Sequence, residues 1–403
     1  MVMSSGVFKQ VTYKAETVFG TAPGASGAQI VRRVESVLDL SKDTFSSNEI
    51  RTDMQVADFR HGTRRVKGSL KGELSPKTYA DFIAAVVRRD FASVTPIASA
   101  SITIAGTGPT WTVTRAAGSF LTDGVKVGDV IRLSVGVFNA ANLNKNLMVT
   151  ALTATIATVI VLNGTALVAE GPIAASTVTV VGKKTYMPTT GHTAKSFSYE
   201  HYNADTNLSE LFTGVKLDTM AIALPPTGMG TIDFGLIGQN ITTGSSAYYT
   251  GATAASATGV VSAVNGVLLI SGTPVANCTG LTINVAGALS GDPVVGQNFV
   301  PYVFPGRMTV TGQFTAYFDS GTFRDNFINE DVIGISVALT SSNVANADFI
   351  AFSLPALKLS SCTKTDTEKG IIATYAFTAL LNSAGGTGTS SEQTTLVVQD
   401  SAA

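Results

Sequence analysis

This sequence has little charge for its length. Only 14 % of its 403 residues are Asp, Glu, Lys or Arg, against roughly 25 % in ordinary globular chains, so much of the surface is expected to meet protein or lipid rather than water. Cysteine is scarce too. Cys278 and Cys362 alone make no disulfide framework, and the opening MVMSSGVFKQ lacks the apolar stretch of a signal peptide. Synthesis in a reducing cytoplasm is the expectation. The three histidines, His61, His192 and His201, fall into no HExxH or other metal-ligand spacing, and Glu200 beside His201 on a strand points to the opposite face. There is no GKS or GKT phosphate loop and no GxSxG elbow. GMGTIDFG at 228 follows Pro225-Pro226 and continues as a strand, so it reads as a hairpin turn and not as a dinucleotide loop. No catalytic, cofactor-binding or metal-ligating residue is nominated.

What is present is apolar and small-residue rich, at 45 % hydrophobic with 39 glycines. The length predicts two or three domains. The net charge of -1 hides a split: residues 1–95 hold 14 basic and 10 acidic side chains, the remainder 13 and 18. Neither part is basic enough to grip nucleic acid by itself. The densest run is RHGTRRVKGSLKG, residues 60–72, whose lysines alternate on a strand face without the aromatic interleaving of an RNA-binding surface. The uncharged stretch 147–169, LMVTALTATIATVIVLNGTALVA, is long enough to test as a membrane span. Its β-branched residues around Asn163-Gly164 describe a hairpin instead.

Period-2 patterning organises the rest. In VKGSLKGEL (66–74) Val66, Gly68, Leu70, Gly72 and Leu74 share one face, with Lys67, Ser69, Lys71 and Glu73 on the other. SPKTYADFIAAVVRR follows, with Ser75 placed to cap, Pro76 at the first helical position, and Tyr79, Phe82, Ile83, Val86 and Val87 in one stripe. The same pair returns at 308–328, where Asp319 or Ser320 is placed to cap a helix carrying Phe323 and Phe327. Gly62 then matches Gly306, Gly68 matches Gly312, Tyr79 matches Phe323 and Asp81 matches Asp325. Downstream, Val215-Lys216-Leu217 matches Leu357-Lys358-Leu359, and GTIDFGLIG (230–238) matches IATYAFTAL (372–380). That conserved order predicts a duplicated fold.

The spacing locates an insertion. Asp81 and Val215 stand 134 positions apart but Asp325 and Leu357 only 32, so the first copy carries about 102 extra residues. WTVTRA, DVIRLSV, LMVTALTA, ATVIVLNG and STVTVVG predict a small all-β domain looped out there, with Trp111 in its core. The expected division is 1–94 with 186–241 as the first copy, 95–185 as the inserted domain, 242–384 as the second copy, and 385–403 as a tail that is mobile at least in part.

The stretch 34–83, with its "SNEIR", "DFRHGT" and "GELSP" wording, resembles tail tube proteins (major tail proteins) of long-tailed bacteriophages. The likeness covers about residues 7–95 and resumes at 186–241. It implies a mainly β chain, each copy a tail-tube β-sandwich or barrel with a flanking helix, that closes into rings stacked as a hollow tube for the genome. It also implies a structural role in the virion tail without enzymatic activity. The tape measure protein, tail terminator and distal tail proteins would be its partners, with phage DNA passing through the lumen without specific binding. The inserted domain resembles those that decorate such tubes externally. Ring closure would cover sheet edges that otherwise invite aggregation. Three chains of two copies give about 24 strands and a backbone barrel roughly 45 to 50 Å across. Arg51, Asp53, Asp58, Arg60, Arg64 and Arg65 are the expected subunit-contact residues, with Arg60 to Lys71 forming the base of a long hairpin, Asp43 to Arg65, and the strand leaving it. A host-binding tail fibre or adhesin, and a carbohydrate-active enzyme, are the rival readings. The enzyme would need a carboxylate pair that the sequence does not offer.

Overall fold

The computed structural model describes residues 3–365, 368 and 370–403; the chain is mainly β, with two α-helices among those residues. Eight antiparallel strands run side by side in the spatial order Glu35–Ser46, Phe59–Glu73, Thr231–Gly238, Leu208–Leu224, Cys278–Ala286, Thr309–Tyr317, Ile372–Ala379 and Phe349–Lys364. The alternation sets which face goes inward. Val66 and Leu70 are buried while Lys67 and Lys71 are exposed, and Val310, Phe314 and Ala316 are buried while Thr309, Thr311 and Gln313 are exposed. Gly68 and Gly312 occupy the same step of the two ladders, opposite Leu38 and Ile283. A Cβ there would lie 1.8 Å from the Val37 carbonyl oxygen or 2.2 Å from that of Thr282, so both positions require glycine for the close approach of a neighbouring backbone.

A second layer covers the buried face. In the first half Lys9–Ala15 pairs with Phe197–Asn203, which pairs with the start of Leu208–Leu224. In the second half Gly266–Ile270 pairs with Ile333–Thr340, which pairs with the start of Phe349–Lys364. Each long strand serves both layers by bending at a register irregularity, between Leu217 and Thr219 in one and between Leu359 and Ser361 in the other. The helix Ala80–Val87 fills the first half's core, with Tyr79, Phe82, Ile83, Val86 and Val87 all buried. Phe82 packs its ring 4.6 to 5.8 Å from those of Tyr13, Phe197, Tyr199 and Phe234, a burial worth about 1.5–3 kcal/mol for the side chain itself. The second helix, Thr322–Ile328, lies shallower and has no fully buried residue.

Residues 97–180 form a closed six-stranded barrel, Ile97–Gly106, Thr110–Arg115, Val130–Ser134, Leu147–Leu152, Ile156–Val161 and Glu170–Val180, with Trp111 in its core. The outer side of this barrel packs on the second half: Val130, Met148 and Ile160 share an apolar cluster with Leu269, Ala338, Phe349 and Ala351. Lys184 adds a buried bridge, 3.2 Å from Asp129 of the barrel and 2.9 Å from Glu392.

Several local expectations are corrected. The first helix begins at Ala80, not at Pro76, because Lys77 adopts φ 69°, which a right-handed helix cannot contain. Ser75 bonds the Thr78 hydroxyl instead of capping. Neither Asp319 nor Ser320 caps the second helix, since Asp319 accepts from Asn277 and Ser320 donates to Thr322. The hairpin within 147–169 turns at Thr153, whose amide and hydroxyl bond across to Ile156, while Asn163 is buried and donates to the Ser342 carbonyl. Ile97–Gly106 is a barrel strand that the patterning did not single out. The alignment of the last hairpins slips by one residue: Leu70 faces Phe234 and Phe314 faces Tyr375, so Phe234 matches Tyr375 and not Ala376. The C-terminal segment, expected as a tail, ends in a paired strand. Val397–Asp400 is a fully buried strand between Lys183–Tyr186 and the Ile350–Ser353 stretch.

Candidate subunit-contact surfaces

The hairpin of Glu35–Ser46 and Phe59–Glu73 holds its ladder out to Ser46 opposite Phe59. Every residue from 48 to 61 is exposed, so the tip stands off the body as an arm. Five of the six residues singled out by sequence satisfy one another, or a neighbour, within it. Arg51 holds Asp53 at 2.9 Å, Arg60 holds Asp58 at 2.8 Å, and Arg65 reaches Asp43 at 3.6 Å. The guanidinium of Arg51 and the Gln55 amide hold the Asp53 carboxyl below its ordinary range, and the same bond raises Arg51. Such exposed pairs order the arm more than they stabilise it. Arg64 turns elsewhere: its amide donates to the Asn298 carbonyl at 2.8 Å and its guanidinium to Asn240 Oδ1 at 3.4 Å. The Nε of Arg65 is buried without a hydrogen-bond partner.

The apolar side chains between these charges were missed. Ile50 is 103 % exposed, Met54 95 % and Val56 70 %, with Phe45 and Phe59 also exposed at the arm's root. The signal was present in EIRTDMQVADF as large apolar residues in a loop with no core to enter, but the charges around them dominate its reading.

Two sheet edges lack a partner among the described residues. Glu35–Ser46 pairs on one side only, with Phe59–Glu73. At the other end of the eight-stranded run, Ser361–Lys364 pairs with Ile372–Ala379 and with no strand beyond. The matching stretch of the first half, Thr219–Leu224, is covered within the chain by Leu281–Ala286.

The outward face of the run is nearly neutral. Lys71 holds Glu35 at 2.8 Å and stands opposite Asp233, and Lys67 stands opposite Asp39. The hydrogen bond to Lys71 lowers the Glu35 carboxyl and raises the lysine. On the second half that face carries Thr309, Thr311, Gln313, Thr315, Thr374, Ala376 and Thr378. His201 is buried with Nε2 2.9 Å from the Ser36 hydroxyl, and Glu200 accepts from Ser209, Tyr248 and Tyr249. Both are parts of the core. Among the described residues no group of His, Cys, Asp and Glu is arranged to hold a metal ion, and no helix is long and apolar enough to cross a membrane.

A projecting arm, two sheet edges unpaired among the described residues and a nearly neutral sheet face are features suited to contact with other protein chains. The profile of a family described as phage tail tube protein matches residues 9–379; the chain belongs to that family, and its role is a structural one in a phage tail tube. Comparison with curated proteins gives no match.

Proposed function

We propose that this chain is the major tail tube subunit, three copies of which close a ring of pseudo-sixfold symmetry, and that the rings stack into the conduit for phage DNA ejection. The observation that carries this reading is the repeated strand order. Lys9–Ala15, Phe197–Asn203, Leu208–Leu224, Thr231–Gly238, Phe59–Glu73 and Glu35–Ser46 neighbour one another in that order in the first half. Gly266–Ile270, Ile333–Thr340, Phe349–Lys364, Ile372–Ala379, Thr309–Tyr317 and Cys278–Ala286 do so in the second. Chain order within each set is also the same. Two equivalent folds per chain, residues 1–94 with 186–241 and residues 242–384, fill six positions with three chains, and eight strands per chain then give the 24 of a closed barrel.

The neutral threonine-rich face suits the lumen. Each phosphate neutralised by a lysine would add affinity and hence friction to sliding DNA, and the lysines there stand beside carboxylates. The arm, with Arg51, Asp53, Asp58, Arg60, Arg64 and Arg65 framing Ile50, Met54 and Val56, is assigned to contact with another copy in the ring or in the next one. The barrel at 95–185 is assigned to the outside of the wall, where it leaves the channel clear. Terminal rings would meet the tape measure, terminator and distal tail proteins, as the family resemblance implies, with assembly in the host cytoplasm. Electron microscopy of the purified chain tests the reading: rings or tubes with threefold arrangement of the barrels are expected, and six chains per ring, or monomers at all concentrations, would overturn it.

A further inference from the structure

The covered edge inside the chain is a template for the uncovered ones. In the intrachain seam Thr219 faces Ala286, Met220 faces Val285, Ala221 faces Asn284 and Ile222 faces Ile283, and the Gly287 amide donates to the Asp218 carbonyl at 2.7 Å. The ladders fix what matches these residues in the other copy. Met220 faces Phe234 as Cys362 faces Tyr375, and both long strands slip at the same step, so Ser361, Cys362, Thr363 and Lys364 match Thr219, Met220, Ala221 and Ile222. Gly68 faces Leu38 as Gly312 faces Ile283, so Ser41, Leu40, Asp39 and Leu38 match Ala286, Val285, Asn284 and Ile283.

Resting on the ring reading above, we infer that the Ser361–Lys364 edge of one copy pairs antiparallel with the Leu38–Ser41 edge of a second copy of this chain, Ser361 opposite Ser41, Cys362 opposite Leu40, Thr363 opposite Asp39 and Lys364 opposite Leu38. The side chains fit this register. Leu40 and Cys362, each partly buried against the core, meet on the inner face as Met220 and Val285 do. Thr363 and Asp39, both exposed, meet on the outer face as Ala221 and Asn284 do. A one-residue slip would set outward-facing Asp39 against an inward-facing position, Cys362 or Lys364, and break the continuity of the two faces. The two seams differ in chemistry: the internal one pairs no charged residue, whereas the external one carries Asp39 and Lys364 at its strands, and edge charges of this kind keep a free subunit from pairing indiscriminately. The Gly287 to Asp218 bond fixes the phase of the ladder, which makes Thr363 and Asp39 a non-hydrogen-bonded pair with Cα atoms about 4.5 Å apart, within disulfide reach.

The test is an Asp39→Cys/Thr363→Cys/Cys362→Ser chain, assembled and then oxidised with diamide. Non-reducing gels should show covalent dimers and trimers with nothing larger, the trimer dominating as oxidation completes. The control, Asp39→Cys/Thr365→Cys/Cys362→Ser, shifts one cysteine two residues along the same face and should give at most a tenth of that product. Rings or tubes that form normally while the first chain stays uncrosslinked, or while the control crosslinks equally, would overturn the seam and leave the ring reading standing. A parent chain that forms no ring would remove the ring reading itself. Should the triple variant fail to assemble, Leu40→Cys alone, opposite the native Cys362, gives the same readout.

Discussion

Two buried titratable residues act on stability in opposite directions. Burial pushes the Asp400 carboxyl up to about 6, although the Lys77 and Ala402 amides bond its oxygens. Between about 3.8 and 6 the folded chain therefore holds a proton that the unfolded chain has lost, and stability falls as pH rises through that window, by about 3 kcal/mol in full. Burial, reinforced by Lys9 and Arg33, lowers His201 to about 3. Below its ordinary 6.5 the unfolded chain takes a proton that the folded one refuses, so this contribution falls as pH drops from 6.5 toward 3. The two slopes oppose each other between pH 4 and 6. Replacing His201 with Gln, which can still bond Ser36, should leave Asp400 acting alone, so stability from urea denaturation should fall more steeply from pH 4 to pH 6 than in the parent. A parallel curve would place His201 outside the balance. The arm gives the second residue-scale prediction. With its charges already paired locally, Ile50→Asp with Met54→Asp should leave the melting temperature within a degree or two while tubes vanish from micrographs. Arg51→Glu should shorten tubes less; the reverse ranking would return the contact to the charges. Sequence exposed the charges of this site and hid its apolar part, because large apolar residues ordinarily report a core.

At the scale of elements, the most regular alternating and helical stretches were legible, and a strand buried on both faces was not. The run from Val66 to Leu74 alternates, and the stripe from Tyr79 to Val87 repeats at helical spacing, so each declares its buried side. Leu396 to Asp400 is buried at every residue and has no alternation to read. The one-residue misalignment of Phe234 has a similar origin, since both hairpins offer an aromatic near the place and only the ladder chooses between them. The C-terminal strand also explains how the barrel is held. Gln399 is buried, accepts from the Val130 amide at 2.8 Å, and donates to the carbonyls of Val130 and Val181 at 2.9 and 2.8 Å. Each buried group left unpaired costs about 1–3 kcal/mol. Gln399→Ala should therefore lower the unfolding free energy by about 2–4 kcal/mol, and hydrogen exchange should quicken first at Val130 and Val181. A loss spread evenly over the chain would argue against a local tie.

For the whole molecule, the strand order shared by the two halves was legible because its patterning recurs even where wording is lost, and the barrel was legible because it interrupts that order. Its attachment was not, since a contact between segments over a hundred residues apart leaves no periodic trace. A barrel carried on the outside of the wall is expected to be dispensable for tube formation, yet Leu269, Ala338, Phe349 and Ala351 are buried beneath it. Cutting out 97–180 uncovers these four together, and contiguous apolar patches on free surfaces drive association. The deletion by itself should thus yield protein that sediments as irregular aggregate. The same deletion combined with Leu269→Thr, Phe349→Thr and Ala351→Ser should return smooth tubes of the parent diameter but thinner outer profile, because the eight-stranded run and both of its free edges lie wholly outside 97–180. If the polar version still aggregates while its strand content by circular dichroism is intact, the barrel takes part in building the wall and does not merely cover it.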